Sequence, residues 1–102
     1  MDKFIALSDP TRRKIIEILC SGEHSSGDLA KQFECSAPAI SQHLGVLKTA
    51  GLVEMEKAAQ RRIYRLSREG FIEVDQWCEK VRDYWSARLE SIDWELSSVH
   101  AS

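Results

Sequence analysis

The stretch from Ser36 to Val53, SAPAISQHLGVLKTAGLV, restricts the fold more than any other part of the chain. Its two ends carry the chemistry of helix termini. Ser36 can accept a hydrogen bond from a first-turn N–H that has no helical partner. Pro38 falls in that first turn, where its missing N–H costs little. Gly51 can take the left-handed conformation that closes a helix. Between them Ile40, Leu44 and Leu47 recur at spacings of four and three, so they share one buried face. The opposite face holds Ala37, Ala39, Ser41, Gln42, His43 and Lys48, and no acid. Small side chains allow close approach to a duplex, and amide and hydroxyl groups can meet base edges and phosphates. A solvated amphipathic helix has the same pattern, so the flanking segments decide between the two readings.

The preceding chain predicts three short helices. Asp2 to Leu7 brings Phe4, Ile5 and Leu7 into one short apolar helix. Asp9 is then a suitable N-cap and Pro10 suits the first helical position. That second helix runs to about Cys20, with Ile15, Ile16, Ile18, Leu19 and Cys20 as its apolar face, and Ser21-Gly22 ends it. Arg12, Arg13 and Lys14 cluster at its start, either as phosphate contacts or as a solvated face. Ser25 and Asp28 have the spacing of a capping box, with Asp in place of the usual Glu. A short helix follows, with Leu29, Ala30 and Phe33 inward. The turn at Glu34-Cys35 leads to Ser36. Two short helices joined this way make a helix-turn-helix, with the recognition helix at about 36–50.

After Gly51 the period changes from helix to strand. Leu52, Val53 and Met55 precede Lys57, and Arg61-Arg62-Ile63-Tyr64-Arg65-Leu66 alternates. A hairpin over about 53–66 is expected. Its connector Ala58-Ala59-Gln60 lacks Asn-Gly, which predicts a longer, looser loop. Lys57, Gln60, Arg61 and Arg62 surround the tip. A basic hairpin directly after a helix-turn-helix reads as a wing, lying along phosphates or entering the minor groove.

From about Ser67 a single long helix reaches the 90s. Phe71, Val74, Cys78, Val81, Trp85, Leu89, Ile92 and Leu96 are spaced by three or four, and Trp77, Tyr84 and Trp94 widen the stripe. About 25 helical residues span roughly 38 Å, more than so small a domain can cover by itself. The surplus apolar face predicts a second copy of the chain.

The 102 residues are expected to form one domain. The formal net charge of −2 conceals an asymmetry. From Ser36 to Arg68 six bases face two acids, a net of +4; from Glu69 to Ser102 three bases face eight acids, a net of −5. A basic middle and an acidic tail suggest a polyanion on one surface and its repulsion from the other. The cysteines Cys20, Cys35 and Cys78 are an odd number without CxxC spacing, which predicts neither a disulfide framework nor a zinc site. They read as small core or boundary residues. No apolar run approaches a membrane span and Met1-Asp2-Lys3-Phe4 is no secretory leader, so the expected location is the cytoplasm.

These segments together resemble the ArsR-type (arsenic-repressor-like) winged-helix transcription repressors, over nearly the whole chain to about Trp94. LSDPTR from Leu7 to Arg12 is similar to that family's entry to its second helix. SAPAISQHL from Ser36, followed by Leu47-Lys48 and Ala50-Gly51-Leu52-Val53, is similar to its recognition-helix signature. Arg62-Ile63-Tyr64-Arg65-Leu66 is similar to its second wing strand. The resemblance implies a mostly α fold with a small hairpin, in the order α-α-α-α-β-β-α. It implies a bacterial homodimer on a palindromic operator in double-stranded DNA. Ser36, Ala37, Pro38, Ala39, Ser41, Gln42, His43, Lys48, Lys57, Gln60, Arg61 and Arg62 are the expected DNA contacts. The first helix and a last helix at about 68–96 would build the dimer, through Phe4, Leu7, Trp77, Val81, Tyr84, Trp85, Leu89 and Ile92.

The chain departs from the family's metal sites. Where a Glu-Leu-Cys-Val-Cys-Asp-Leu motif would supply thiols, it has Glu23-His24-Ser25-Ser26-Gly27-Asp28-Leu29. A last-helix site starting from Asp75 would meet Trp77, Arg88 and Ser91, and Trp and Arg are not ordinary ligands. No metal and no cofactor is expected. Some relatives sense oxidants through a cysteine pair, for which Cys20 and Cys78 are the candidates. A winged-helix protein-interaction module that binds no DNA is the other alternative. No nucleophile–base pair, carboxylate dyad or phosphate loop points to an enzyme. The residues name no inducer.

Overall fold

The computed structural model of the chain describes residues 2–100, with side chains described through Ser86 and at Arg88. Two compact units divide it, one ending at Ile72 and one starting at Glu73.

The first unit is built on capped helices. Asp2 caps α1 (Lys3–Ala6), accepting hydrogen bonds from the backbone N–H groups of Phe4 and Ile5. Asp9 caps α2 (Pro10–Leu19), with Pro10 in the first turn as expected. Strand β1 (His24–Ser25) leads into α3 (Ser26–Ala30), whose N-cap is Ser25. Ser36 caps α4 (Ala37–Thr49), accepting from Ala39 N–H at 3.3 Å.

The end of α4 is a Schellman motif. Gly51 donates its N–H to Lys48 O and Leu52 donates to Leu47 O, both at 3.0 Å. Gly51 has φ +80°, a conformation that costs an L-residue about 1–2 kcal/mol and glycine nothing. Leu47 and Leu52, which flank the motif, are both fully buried. They join Ile15, Leu29, Ile40 and Leu44 at the centre of the core, with Ala6, Ile16, Leu19, Ala50, Val53 and Tyr64 around them. Burying each large aliphatic side chain is worth about 1.5–3 kcal/mol before ordering entropy is counted.

Strands β2 (Val53–Ala58) and β3 (Arg61–Leu66) form the expected hairpin, but it differs from the prediction in two ways. Its loop is tight: Ala58 pairs with Arg61, leaving only Ala59 and Gln60 between the strands. Ala59 takes φ +58° in place of the glycine such a turn favours, so the cross-strand register overrides the local preference. The sheet also has three strands, in the order β1-β3-β2, with His24 opposite Tyr64 and Ser25 opposite Ile63. Two residues are too few to show a strand period in sequence.

Ser67 ends the sheet and starts α5 (Arg68–His100). Its N–H bonds to Leu52 O at 2.9 Å and its hydroxyl accepts from Gly70 N–H at 3.3 Å. Gly70 is buried so closely on the carbonyl of Gly51 that a Cβ there would overlap it. In the second unit α5 continues past the predicted end near 96. Trp77 and Tyr84 are 51% and 71% exposed, and Trp85 packs edge-on against Tyr84. Of the expected dimer residues, Phe4 is exposed, Leu7 and Val81 are half-buried, and Leu89 and Ile92 have side chains outside the described residues, as does Trp94 of the apolar stripe.

The cysteines contradict their expected place. Cys20, Cys35 and Cys78 are all exposed. Cys20 falls on the C-cap of α2, where the chain turns outward, so it leaves the face that buries Ile15, Ile16 and Leu19. Cys35 lies in the turn before Ser36, and Cys78 on the exposed side of α5.

Candidate nucleic-acid interface

Helix α4 separates its faces as the spacing predicts. Ile40, Leu44 and Leu47 are fully buried, while Ala37, Pro38, Ser41, Gln42 and Lys48 are exposed and Ala39 is half-buried. Ser36 is exposed too, although its hydroxyl is engaged as the cap. Lys48 makes no ion pair among the described residues.

His43 departs from this pattern. Its side chain is 23% exposed, with Nδ1 3.3 Å from Nη1 of Arg12 and 3.9 Å from Oδ2 of Asp9. The N-terminus of α2 therefore holds one edge of the ring. The Arg12 N–H that Asp9 caps keeps its carboxyl below the usual carboxylate range; the His43 ring and Arg12 side chain act in the same direction, and burial acts against them. No local pattern marks this cluster, because Arg12 and His43 are 31 residues apart in the chain.

The bases at the start of α2 divide by role. Arg12 donates to Ala6 O at 2.6 Å and Arg13 to Leu7 O at 2.9 Å, so both tie down the end of α1. Lys14 sits over the Phe33 ring at 5.9 Å. Neither arginine is a free phosphate contact.

The hairpin has two electrostatically different faces. On one, Arg65 meets Glu56 at 3.0 Å, Glu54 at 3.3 Å and Glu23 at 3.6 Å. The hydrogen bonds to Glu56 and then Glu54 hold its guanidinium proton more tightly than usual. The basic count of this region is therefore partly neutralised at the base of the wing. On the other face, Val53, Met55, Tyr64 and Leu66 face the core, and the pattern continues to the tip as Lys57 directly opposite Arg62. Like charges paired across strands are unfavourable by themselves. Both are exposed and neither makes an ion pair among the described residues.

Arg61, expected beside Arg62 as a phosphate contact, points back instead. Its Nη2 lies 3.0 Å from Ser25 Oγ and 3.1 Å from Asp28 Oδ2. This also changes the capping box. Ser25 accepts from Asp28 N–H at 3.1 Å, but the Asp28 carboxylate is turned to Arg61. The pair is 61% and 47% exposed, so it is worth less than about 1 kcal/mol and can yield to a phosphate. Ser25 and Gly27, at the family's thiol positions, line a hollow of about 390 Å³ with Ser26, Gln60, Arg61 and Arg62. Cys20 and Cys78 lie in separate units.

This arrangement has counterparts among known proteins. Residues 9–55 match the model described as bacterial regulatory protein, arsR family. The transcriptional repressor SdpR of Bacillus subtilis (strain 168) is 44% identical over 64 residues, which is 63% of this chain and 71% of that protein. The HTH-type transcriptional regulator Rv2034 of Mycobacterium tuberculosis is 51% identical over 65 residues, 64% of this chain and 61% of that protein. A crystal structure described as a possible transcriptional regulator for arsenical resistance superposes with a TM-score of 0.77 at 35% identity, covering 93% of this chain and 96% of that one.

Proposed function

Since the chain belongs to the arsR family of bacterial regulatory proteins, we propose that it is a transcriptional repressor that binds a palindromic operator in double-stranded DNA as a homodimer. The observation that carries this reading is the pairing of an acid-free, small-sided face on α4 with a wing tip whose Lys57 and Arg62 oppose each other without a carboxylate. Two such cations offset their mutual repulsion when a polyanion lies between or beside them.

In the complex, α4 lies in the major groove. Ser41, Gln42 and His43 meet base edges, and Ala37, Pro38 and Ala39 allow close approach. Ser36, at the helix N-terminus, together with Lys48, Lys57, Gln60 and Arg62, meets the backbone, and Arg61 joins them by leaving Asp28. The acidic cluster around Arg65 keeps the opposite face of the wing off the DNA. Apolar residues at α1, Phe4 and Leu7, and of α5, Trp77, Val81, Tyr84 and Trp85, serve to pair two copies. The exposed tryptophans and tyrosine of α5 favour that use over solvent. Half-site centres then stand about 10–11 bp apart. As a transcription regulator the protein works in the cytoplasm and carries out no catalysis; among the described residues no helix is long and apolar enough to cross a membrane.

The test is selection of bound duplexes from random DNA, followed by gel shift of the winner against a scrambled duplex and by sedimentation of the free protein. A palindrome bound by a dimer, with affinity falling steeply in salt, is the expected result. No shift of any duplex at low salt would overturn it in favour of a protein-interaction module.

A further inference from the structure

The half-buried histidine of α4 is not free to present either edge. Its Nδ1 faces Nη1 of Arg12 at 3.3 Å. A guanidinium carries only N–H donors and keeps its proton, so the ring nitrogen facing it must supply a lone pair. The one group that would favour a proton on Nδ1 is Asp9, but its Oδ2 is 3.9 Å away, beyond hydrogen-bond reach. That carboxylate already accepts the backbone N–H of Arg12 at 3.0 Å. Arg12 is in turn immobilised by its bonds to Ala6 O at 2.6 Å and Ile5 O at 3.4 Å. The guanidinium plane is thus set by the end of α1, and the imidazole by the guanidinium.

We propose that Arg12 is a positioning residue for base recognition: it fixes His43 as the Nε2–H tautomer, so that α4 offers one hydrogen-bond donor at this position and no acceptor. A lone donor in the major groove suits the N7 and O6 acceptors of guanine and disfavours edges that present an amino group. The inference rests on the DNA-binding reading above and adds to it the residue that decides what His43 can read. Arg12 lies outside the recognition helix and need not touch DNA.

Two amide substitutions separate the ring nitrogens. In His43→Gln the amide nitrogen takes the place of Nε2, and the donor survives. In His43→Asn the amide oxygen can take the place of Nδ1, which keeps the bond to Arg12 but loses the donor toward DNA. The ratio of selected-site to scrambled-site affinity should stay within about threefold of the parent in His43→Gln and fall about tenfold in His43→Asn, the worth of one hydrogen bond left unmade. A nitrogen–proton correlation spectrum of the imidazole in the free protein should show Nε2 protonated and Nδ1 bare. Arg12→Lys keeps a charge but cannot hold Ala6 O and the ring together, and should yield a mixture of tautomers. An Nδ1–H signal in the parent protein would overturn the inference, as would an unchanged ratio in His43→Asn, and both leave DNA binding standing. Equal losses on selected and scrambled duplex would assign Nε2–H to a phosphate and overturn it too. Failure of the parent protein to shift any duplex would sink the inference together with the function.

Discussion

Helix α4 is held at both ends by backbone caps, whereas the tip of the hairpin β2–β3 is tied back only through the exposed side chain of Arg61, to Ser25 and Asp28. Ser36 and the Gly51 turn fix where α4 begins and stops, and three fully buried side chains fix its rotation. Its exposed face is therefore set by geometry alone. The hairpin is anchored by Val53 and Tyr64 and by the carboxylates around Arg65, but its tip carries a strained Ala59 and two opposed cations. A rigid helix suits discrimination between bases, which needs a fixed donor at a fixed place. A cationic tip tied back by an exposed ion pair suits phosphates, which repeat along every duplex. We therefore assign selectivity to α4 and non-selective affinity to the wing.

The largest expected effect removes the platform on which α4 rests. Leu44→Ala should cost about 2–5 kcal/mol in urea unfolding and abolish DNA binding by loss of fold. Gly70→Ala should act in the same direction, since its Cβ would overlap the Gly51 carbonyl. The comparison is sharpened at the next level, where the fold is left intact. Gln42→Ala should cost about 1–3 kcal/mol of discrimination at one or two base pairs and leave scrambled-duplex affinity nearly unchanged. If gel shifts show both affinities falling together, α4 is not the selective element.

Smaller effects probe the supports. Asp9→Ala removes the cap of α2 and should cost about 1 kcal/mol at neutral pH. Because the folded-state carboxyl titrates below the unfolded one, this contribution is full above the unfolded value near 3.8 and disappears as pH falls through the lower folded value. The difference between parent and variant in thermal unfolding should close over that acidic window and nowhere higher. Ala59→Gly should stabilise by about 0.5–1 kcal/mol, because glycine relieves the positive φ but gains freedom in the unfolded chain. Destabilisation there would mean that the turn is not strained.

The same division explains which parts could be read ahead of the structure. The α2 and α4 termini were legible because Asp9, Pro10, Ser36 and Gly51 carry their conformational preferences locally. The buried stripe of α4 was legible from its period. The tight turn was not, since Ala59 adopts φ +58° only because pairing of Ala58 with Arg61 leaves no longer path. Strand β1 exists through its partner β3, and two residues cannot announce that. Arg61 read as a free cation because the chain does not reveal that Ser25 and Asp28 fold back beside it. The acidic ring around Arg65 was hidden in a regional charge count that added up groups on opposite faces.

The division of labour between helix and wing is tested most directly by the salt dependence of binding in Lys57→Ala plus Arg62→Ala, measured on the selected operator and on a scrambled duplex. Loss of two phosphate contacts should lower the slope of log affinity against log salt by about 1.8 on both duplexes and leave their affinity ratio unchanged. A slope that stays at the parent value, or a loss confined to the operator, would contradict the account.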